Sequence, residues 1–235
     1  MSIISIPQPS QYTESKKNTG TIEIPGCFPG YGTTLGNAIR RVLLSSIEGA
    51  AITSVKIKGV SHEFSAVDGV LEDVVQIILN LKQIRFHLHT DEKATATLSV
   101  KGECVVSAGD IVTSAEVDIV DAAQHIATLT DKKASLDIEF VIEKGIGYVP
   151  SDQHVVEEKE VGSIMIDAVY TPVKRVNYNV ENMRVGTRTD YEKVTLEIVT
   201  DGSISPQEAF DHAVDILVEQ FSALSSSGVA EVIEN

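Results

Sequence analysis

Apolar residues recur along the chain at a period that changes several times, and each change marks a predicted element. Residues 35–46 repeat apolar positions every three to four residues, which predicts a helix that ends near Ile47. From residue 51 the period becomes two, which predicts a strand over residues 51–58. A second helical stripe runs from Val70 to Leu81, with acidic residues where the positive end of a helix favours them.

Strand-like segments separated by turns fill much of the remaining chain. They are residues 21–24, 84–88, 94–100, 115–120, 125–130, 134–142, 174–180 and 193–199. Residues 1–17 are polar and irregular, so we expect a loose arm there. Residues 157–160 form an acidic run that is most simply a solvated surface patch.

A strongly marked helix follows the last strand. Ser205 and Glu208 form a capping box, and Pro206 occupies the first helical position. Apolar residues then recur at spacings of four, three, four and three, at Phe210, Val214, Leu217, Phe221 and Leu224. That heptad seam suits a partner helix as well as the chain's own sheet, so both interpretations stay open.

The helix predicted near residue 35 has two dissimilar faces. One face carries Leu35, Ala38, Ile39, Val42 and Ser46, and the other carries Asn37, Arg40, Arg41 and Leu44. The first composition is typical of core. A leucine ringed by arginines is typical of a protein–protein contact, although a single exposed leucine also occurs without a partner.

The start of this helix is rich in glycine. We predict that Thr33 or Thr34 caps it by accepting a backbone N–H bond. Gly30-x-Gly32 also suggests a phosphate-binding loop. Neither a following Gly-Lys-Ser/Thr nor a strand–GxGxxG–helix spacing is present, which argues against that interpretation.

Composition limits the partners and the compartment. The 235 residues suffice for one large domain or two small ones, and the net charge of −15 repels a phosphate backbone over most of the surface. The N-terminus lacks the pattern of a signal peptide, and no apolar run approaches a membrane span. Cys27 and Cys104 are too few for a disulfide framework or a zinc site, so we expect reduced thiols in the cytoplasm.

Residues that could carry chemistry do not converge in the sequence. The His-Glu-x-x-His, Gly-x-Ser-x-Gly and Cys-x-x-Cys motifs are missing. His87 and His89 would share one face of a strand and could bind a metal, but no third ligand follows at a familiar spacing. These features favour a scaffold over an enzyme.

Seven segments resemble the N-terminal domain of bacterial RNA polymerase alpha subunits. They are residues 32–46, 55–65, 69–74, 78–82, 145–150, 167–173 and 178–181. They occur in the family's order, and the resemblance covers about residues 21–224. It implies an α+β fold in which residues 1–47 and 173–225 form a discontinuous dimerisation subdomain. Residues 48–172 form a mostly β insert, and residues 226–235 a flexible tail.

The resemblance also implies a function in assembly. The family forms a homodimer through its first and last helices, which favours a partner helix for the seam. The implied dimer interface is Leu35, Ile39, Val42, Phe210, Val214, Leu217, Phe221 and Leu224. One copy of the dimer binds the beta subunit and the other binds beta-prime.

The family's beta contacts match Arg41 and Leu44, and Lys82 belongs to the same surface in the family. Asn37 and Arg40 share the helix face of that arginine and leucine. The implied role is that of a non-catalytic subunit without a cofactor, because the large subunits of the polymerase hold the magnesium.

The family usually continues into a second domain that contacts promoter DNA, whereas this sequence stops at Asn235. We therefore expect no direct nucleic-acid binding from these residues. Two other classes stay open. One is a free-standing scaffold or small-ligand module that uses the same fold, and the other is an enzyme in its own right.

Overall fold

The computed structural model describes residues 4–154 and 162–224 of the chain. In these residues the α-helices are α1 (Tyr31–Ser45), α2 (Val74–Leu81) and α3 (Pro206–Ala223). The strands are β1 (Gln11–Lys16), β2 (Thr19–Cys27), β3 (Glu48–Ile57), β4 (Phe86–Leu88), β5 (Ala94–Lys101), β6 (Cys104–Ser107), β7 (Ile111–Val112), β8 (Val117–Ile119), β9 (His125–Leu129), β10 (Ser135–Ile146), β11 (Tyr148–Val149), β12 (Ser163–Met165), β13 (Ala168–Val169), β14 (Val173–Val185) and β15 (Arg188–Thr200). This mixture confirms the α+β class. The expected tail at residues 226–235 and the acidic run at residues 157–160 lie outside the described residues.

The chain divides into two compact units. The first unit is discontinuous and comprises Met1–Ile47 with Thr171–Asn235. The second, here called the insert unit, is Glu48–Tyr170.

The first unit is an antiparallel sheet of order β1-β2-β15-β14, with α1 and α3 packed on it. The long β14 and β15 form a hairpin that turns at Gly186, where φ is +62°. Along β15, Val194, Leu196 and Ile198 are fully buried while the residues between them are half-buried. This alternation directs one face of the sheet towards the helices and builds the core there.

The expectation of a loose arm at the N-terminus is wrong for part of its length. Residues 11–16 form β1, which pairs with β2. The strand is at the edge of the sheet, and five of its six residues are exposed. Its hydrogen bonds come from β2, so it needs no apolar alternation, and that alternation was the signal used to find strands.

The buried face of α1 is rotated from the predicted one. Gly32, Gly36, Ile39 and Leu43 are the buried residues, and Leu43 is completely enclosed. A Cβ on Gly36 would lie 2.7 Å from Cδ2 of Tyr178, so the sheet approaches the helix on its glycine side. The close approach selects this face, and a count of large apolar residues does not reveal it.

The insert unit has its own core around a seven-stranded antiparallel sheet. The order is β7-β5-β10-β3-β4-β8, with β12 also paired to β3. The start predicted for α2 is four residues too early, because Asp73 is its N-cap and accepts a 2.7 Å bond from the Gln76 N–H. Val70 instead bridges to Leu129 of β9.

A single carboxylate ties the segment before α2 to β9. Glu72 is largely buried and accepts bonds from His125 Nε2 at 2.9 Å and from the Thr128 N–H at 2.7 Å. Thr128 Oγ1 donates a third bond at 3.1 Å. Burial alone would raise the pKa of Glu72, but the hydrogen bonds from His125 and Thr128 outweigh it and lower that pKa below its ordinary value.

We predict that Glu72→Gln destabilises the insert unit by about 1–3 kcal/mol near neutral pH, because an amide NH₂ cannot accept the Thr128 bond. A carboxyl with a lowered folded-state pKa stabilises the fold above its unfolded-state pKa. That contribution is lost as the pH falls through the folded-state value. The gap between wild type and variant should therefore close in acid.

Urea unfolding followed by circular dichroism, over a series of increasingly acidic buffers, measures this gap. Glu103→Gln is the matched control, because Glu103 is an exposed carboxylate of the same unit. An equal gap at all pH values would contradict the role given to Glu72.

Candidate subunit interface

The start of α1 differs from the threonine cap expected. Gly30 is the N-cap, in the left-handed region at φ +84°, and it provides no side-chain bond. The cap comes instead from Glu192 of β15, whose carboxylate accepts the Gly30 N–H at 3.0 Å and the Gly32 N–H at 2.8 Å. Thr34 Oγ1 bonds back to the Gly30 carbonyl. The Gly30 and Gly32 amides, which a phosphate in this turn would need, are thus already occupied.

The two arginines of α1 have different surroundings. Arg40 is half-buried, and its Nε donates to the Val176 carbonyl of β14 at 3.2 Å. Arg41 is exposed, and within residues 4–154 and 162–224 its guanidinium has no hydrogen-bond or ion-pair partner. Asn37 is exposed as well, and Leu44 is half-buried against the core of the first unit. Helix periodicity had placed Arg40 and Arg41 on the same face and did not distinguish them.

Lys82 lies in the insert unit, at the C-cap of α2. Its Nζ is 3.3 Å from Oδ2 of Asp167, and the other oxygen of that carboxylate accepts the Ser151 N–H at 3.0 Å. The Ser151 N–H, followed by Lys82, lowers the pKa of Asp167 below its ordinary value. The ammonium of Lys82 is therefore already paired within its own unit.

The apolar seam of α3 divides into two halves. Phe210 is buried and Val214 and Leu217 pack partly against the core, so the first half uses the chain's own sheet. The second half projects apolar surface: Phe221 is 62% exposed and Leu224 is 81% exposed. Val218, absent from the predicted seam, is 58% exposed beside them. Its position one turn before Phe221 was the available signal.

The remaining predicted dimer residues are on α1. Ile39 is buried in the core of its own chain, and Leu35 and Val42 are half-buried against that core. In the first unit α1 and α3 also pack against each other. The apolar surface still open in these helices is therefore concentrated on the last turns of α3.

His87 and His89, considered above as possible metal ligands, lie close together, and a carboxylate from another strand approaches His89. The His87 and His89 rings are 4.7 Å apart between centroids, and His89 Nε2 is 2.8 Å from Oδ2 of Asp118 on β8. Across the described ranges, His, Cys, Asp and Glu side chains nowhere form a group of three or more that could hold a metal ion. None of the helices in the same ranges is long and apolar enough to cross a membrane.

Comparison with known proteins supplies the family. Residues 55–171 match the family described as RNA polymerase Rpb3/RpoA insert domain. The chain is 54% identical over 193 residues to the DNA-directed RNA polymerase subunit alpha of Geobacter metallireducens, covering 82% of this chain and 56% of that protein.

Two further relatives have the same name. The Symbiobacterium thermophilum protein is 51% identical over 197 residues, covering 84% of this chain and 62% of the relative. The Moorella thermoacetica protein is 52% identical over 190 residues, covering 81% and 60%. The chain thus spans about three-fifths of the length of these relatives. At this level of identity, and with the α+β fold described above, the chain belongs to the family of bacterial DNA-directed RNA polymerase alpha subunits.

Proposed function

We propose that this chain is an assembly subunit of a DNA-directed RNA polymerase. It forms a homodimer, and the dimer binds the beta subunit through one copy and beta-prime through the other. The observation that carries the proposal is the exposed guanidinium of Arg41, which has no partner among the described residues and lies beside the half-buried Leu44. The relatives of the chain are named polymerase alpha subunits. The site of the proposal is the outer face of α1, comprising Asn37, Arg41 and Leu44.

The chemistry of this face suits capture of a protein. An arginine presents five N–H donors in a plane and can bind a carboxylate or backbone carbonyls with two parallel bonds. Leu44 adds apolar area next to it, and arginine is enriched among the residues that dominate binding energy. By helix periodicity Arg40 shares this face, but its side chain bonds to the Val176 carbonyl and so holds the helix on the sheet.

Lys82 is included in the proposed beta contact only together with its ion-pair partner, Asp167. Its pairing with Asp167 means that a partner must either bind the pair as a unit or replace the carboxylate. The pair is half-buried, and breaking it would remove the lysine charge from a carboxylate that also accepts the Ser151 N–H. We therefore propose that the partner binds the pair intact.

The dimer is proposed to form through the exposed end of α3. Val218, Phe221 and Leu224 would each contribute about 1.5–3 kcal/mol on full burial. A second copy of the chain is the proposed occupant because an identical apolar stripe is self-complementary across a two-fold axis. Leu35 and Val42, half-buried on α1, extend the same proposed surface, whereas Phe210 and Ile39 support it from the core.

Catalysis is assigned to the partners. We propose that beta and beta-prime supply the magnesium site and the contacts to nucleic acid, and that this chain works with them in the cytoplasm. The net charge of −15 supports assigning the nucleic-acid contacts to the partners, because such a surface does not attract a phosphate backbone. Polymerisation assays on the purified chain should therefore give no product.

We predict that Arg41→Ala or Leu44→Ala weakens binding of the beta subunit about 30-fold or more, as loss of a dominant contact residue does. Arg41→Ala should leave the melting temperature nearly unchanged, because Arg41 is exposed. Leu44→Ala should lower it modestly, because Leu44 packs partly against the core. Surface biosensing with immobilised beta and the purified dimer measures the affinity.

Arg40→Ala is the matched control for this experiment. It removes an arginine from the adjacent position but breaks the bond to Val176, so it should lower stability by about 1 kcal/mol. At temperatures where the variant stays folded, its affinity for beta should fall less than that of Arg41→Ala. Normal binding by Arg41→Ala would place the beta contact elsewhere.

A second prediction concerns the dimer. Phe221→Glu combined with Leu224→Glu should convert the dimer into monomers, because two charges would be buried without partners at the contact. Light scattering after size-exclusion chromatography measures the mass.

Gln220→Glu with Ser222→Glu adds the same charge to exposed polar positions of the same turns and should leave the dimer intact. A dimer that survives the apolar substitutions would exclude the end of α3 as the contact.

A free-standing scaffold or ligand module would not associate with the large polymerase subunits. Affinity capture of the intact chain from its own cell extract should recover the large polymerase subunits in stoichiometric amounts. Recovery without them would favour that alternative.

A further inference from the structure

The N-cap residue of helix α1 provides no side-chain cap. This residue is a glycine in the left-handed region, and no acidic residue occupies the first turn of the helix. A Cβ at Gly30 would meet no atom within 4 Å, so the N-cap residue itself is not packed against the sheet. The bonds from the Gly30 and Gly32 amides to Glu192 therefore replace the local cap that most helices have.

The fit between Gly32 and the carboxylate is tight. A Cβ at residue 32 would lie 2.7 Å from Glu192 Oε2 and 2.9 Å from a methyl group of Val180. Glycine at this position thus lets the carboxylate reach both amides from β15. The negative charge also lies at the positive end of the helix dipole, where it is favoured.

Two residues of the same hairpin fix α1 along its length. Glu192 of β15 holds the first turn, and Val176 of β14 accepts from Arg40 in the third turn. A rigid helix held at two points cannot rotate or slide on the sheet without breaking one of them. Arg41 follows Arg40 directly, so the side of the helix on which Arg41 lies depends on these bonds.

We infer that Glu192 is a positioning residue for the Arg41 and Leu44 surface. It makes no contact with the partner and acts by fixing the rotation of α1. This inference rests on the proposed function, since it concerns the presentation of the proposed beta-binding face.

The test compares Glu192→Ala with Asp190→Asn in the full chain. Asp190 is an exposed carboxylate two residues away that pairs with Arg188, so its variant removes the same charge and leaves the helix amides alone. Affinity for immobilised beta should fall about fivefold to tenfold for Glu192→Ala, as for loss of a helix cap. It should stay unchanged for Asp190→Asn.

Two readouts separate positioning from general stability. Amide hydrogen exchange of Glu192→Ala should rise at residues 30–34 and stay protected at Leu43. The double variant with Arg41→Ala should lose less affinity than the two single losses multiplied, because both act on one surface. The inference would be overturned if the two losses multiplied in the double variant, or if Glu192→Ala alone bound beta as tightly as wild type.

A second variant covers the case in which Glu192→Ala does not fold. Glu192→Gln keeps the length of the side chain and one acceptor oxygen, but its NH₂ group faces one of the two amide donors. It should weaken beta binding by a smaller factor than alanine does, and binding equal to wild type would again overturn the inference. If Arg41→Ala binds beta normally, the beta contact lies elsewhere and this inference fails together with the proposed contact. If only the Glu192 variants bind normally, this inference fails alone.

Discussion

The first unit depends on the close approach of α1 to the β14–β15 hairpin. Gly36 lies where any Cβ would collide with Tyr178, and Gly32 lies against Glu192 and Val180. The contact joins segments separated by the whole insert unit, so its formation bears the entropy cost of a long loop. The strands of the hairpin supply in return the cap, the anchor for Arg40 and the buried face over which Ile39 and Leu43 pack.

Each helix of this unit divides its surface between inward packing and outward display. On α1 the buried stripe takes two glycines, one isoleucine and one leucine, which leaves Arg41 on the far side. On α3 the division runs along the helix axis: the first turns pack on the sheet, and the last turns project Phe221 and Leu224. An exposed apolar end of this kind is an aggregation liability in an isolated monomer, which is why we propose a partner surface there.

Local signals were predictable from the sequence, and contacts between distant segments were not. The capping box of Ser205 and Glu208 and the alternation of β10 are properties of a few neighbouring residues, and both are present as predicted. Leu43 was missed because its burial depends on which side of α1 carries the glycines that the sheet approaches. Glu192 was missed because it acts on residues 160 positions away, and β1 because an edge strand needs no apolar face.

Helix periodicity could not separate Arg40 from Arg41; the resemblance singled out Arg41, and the structure shows the physical difference between the two. They are chemically identical neighbours, and the difference between them is a carbonyl 136 residues away that accepts from one and not from the other. In a chain of net charge −15, the exposed guanidinium of Arg41 is a positive group on a largely acidic molecule. A strongly acidic partner would be repelled by most of the surface, while a basic one would gain nothing from Arg41. The partner best matched to this face therefore offers a few carbonyls or one carboxylate beside an apolar pocket, and short-range geometry decides its recognition.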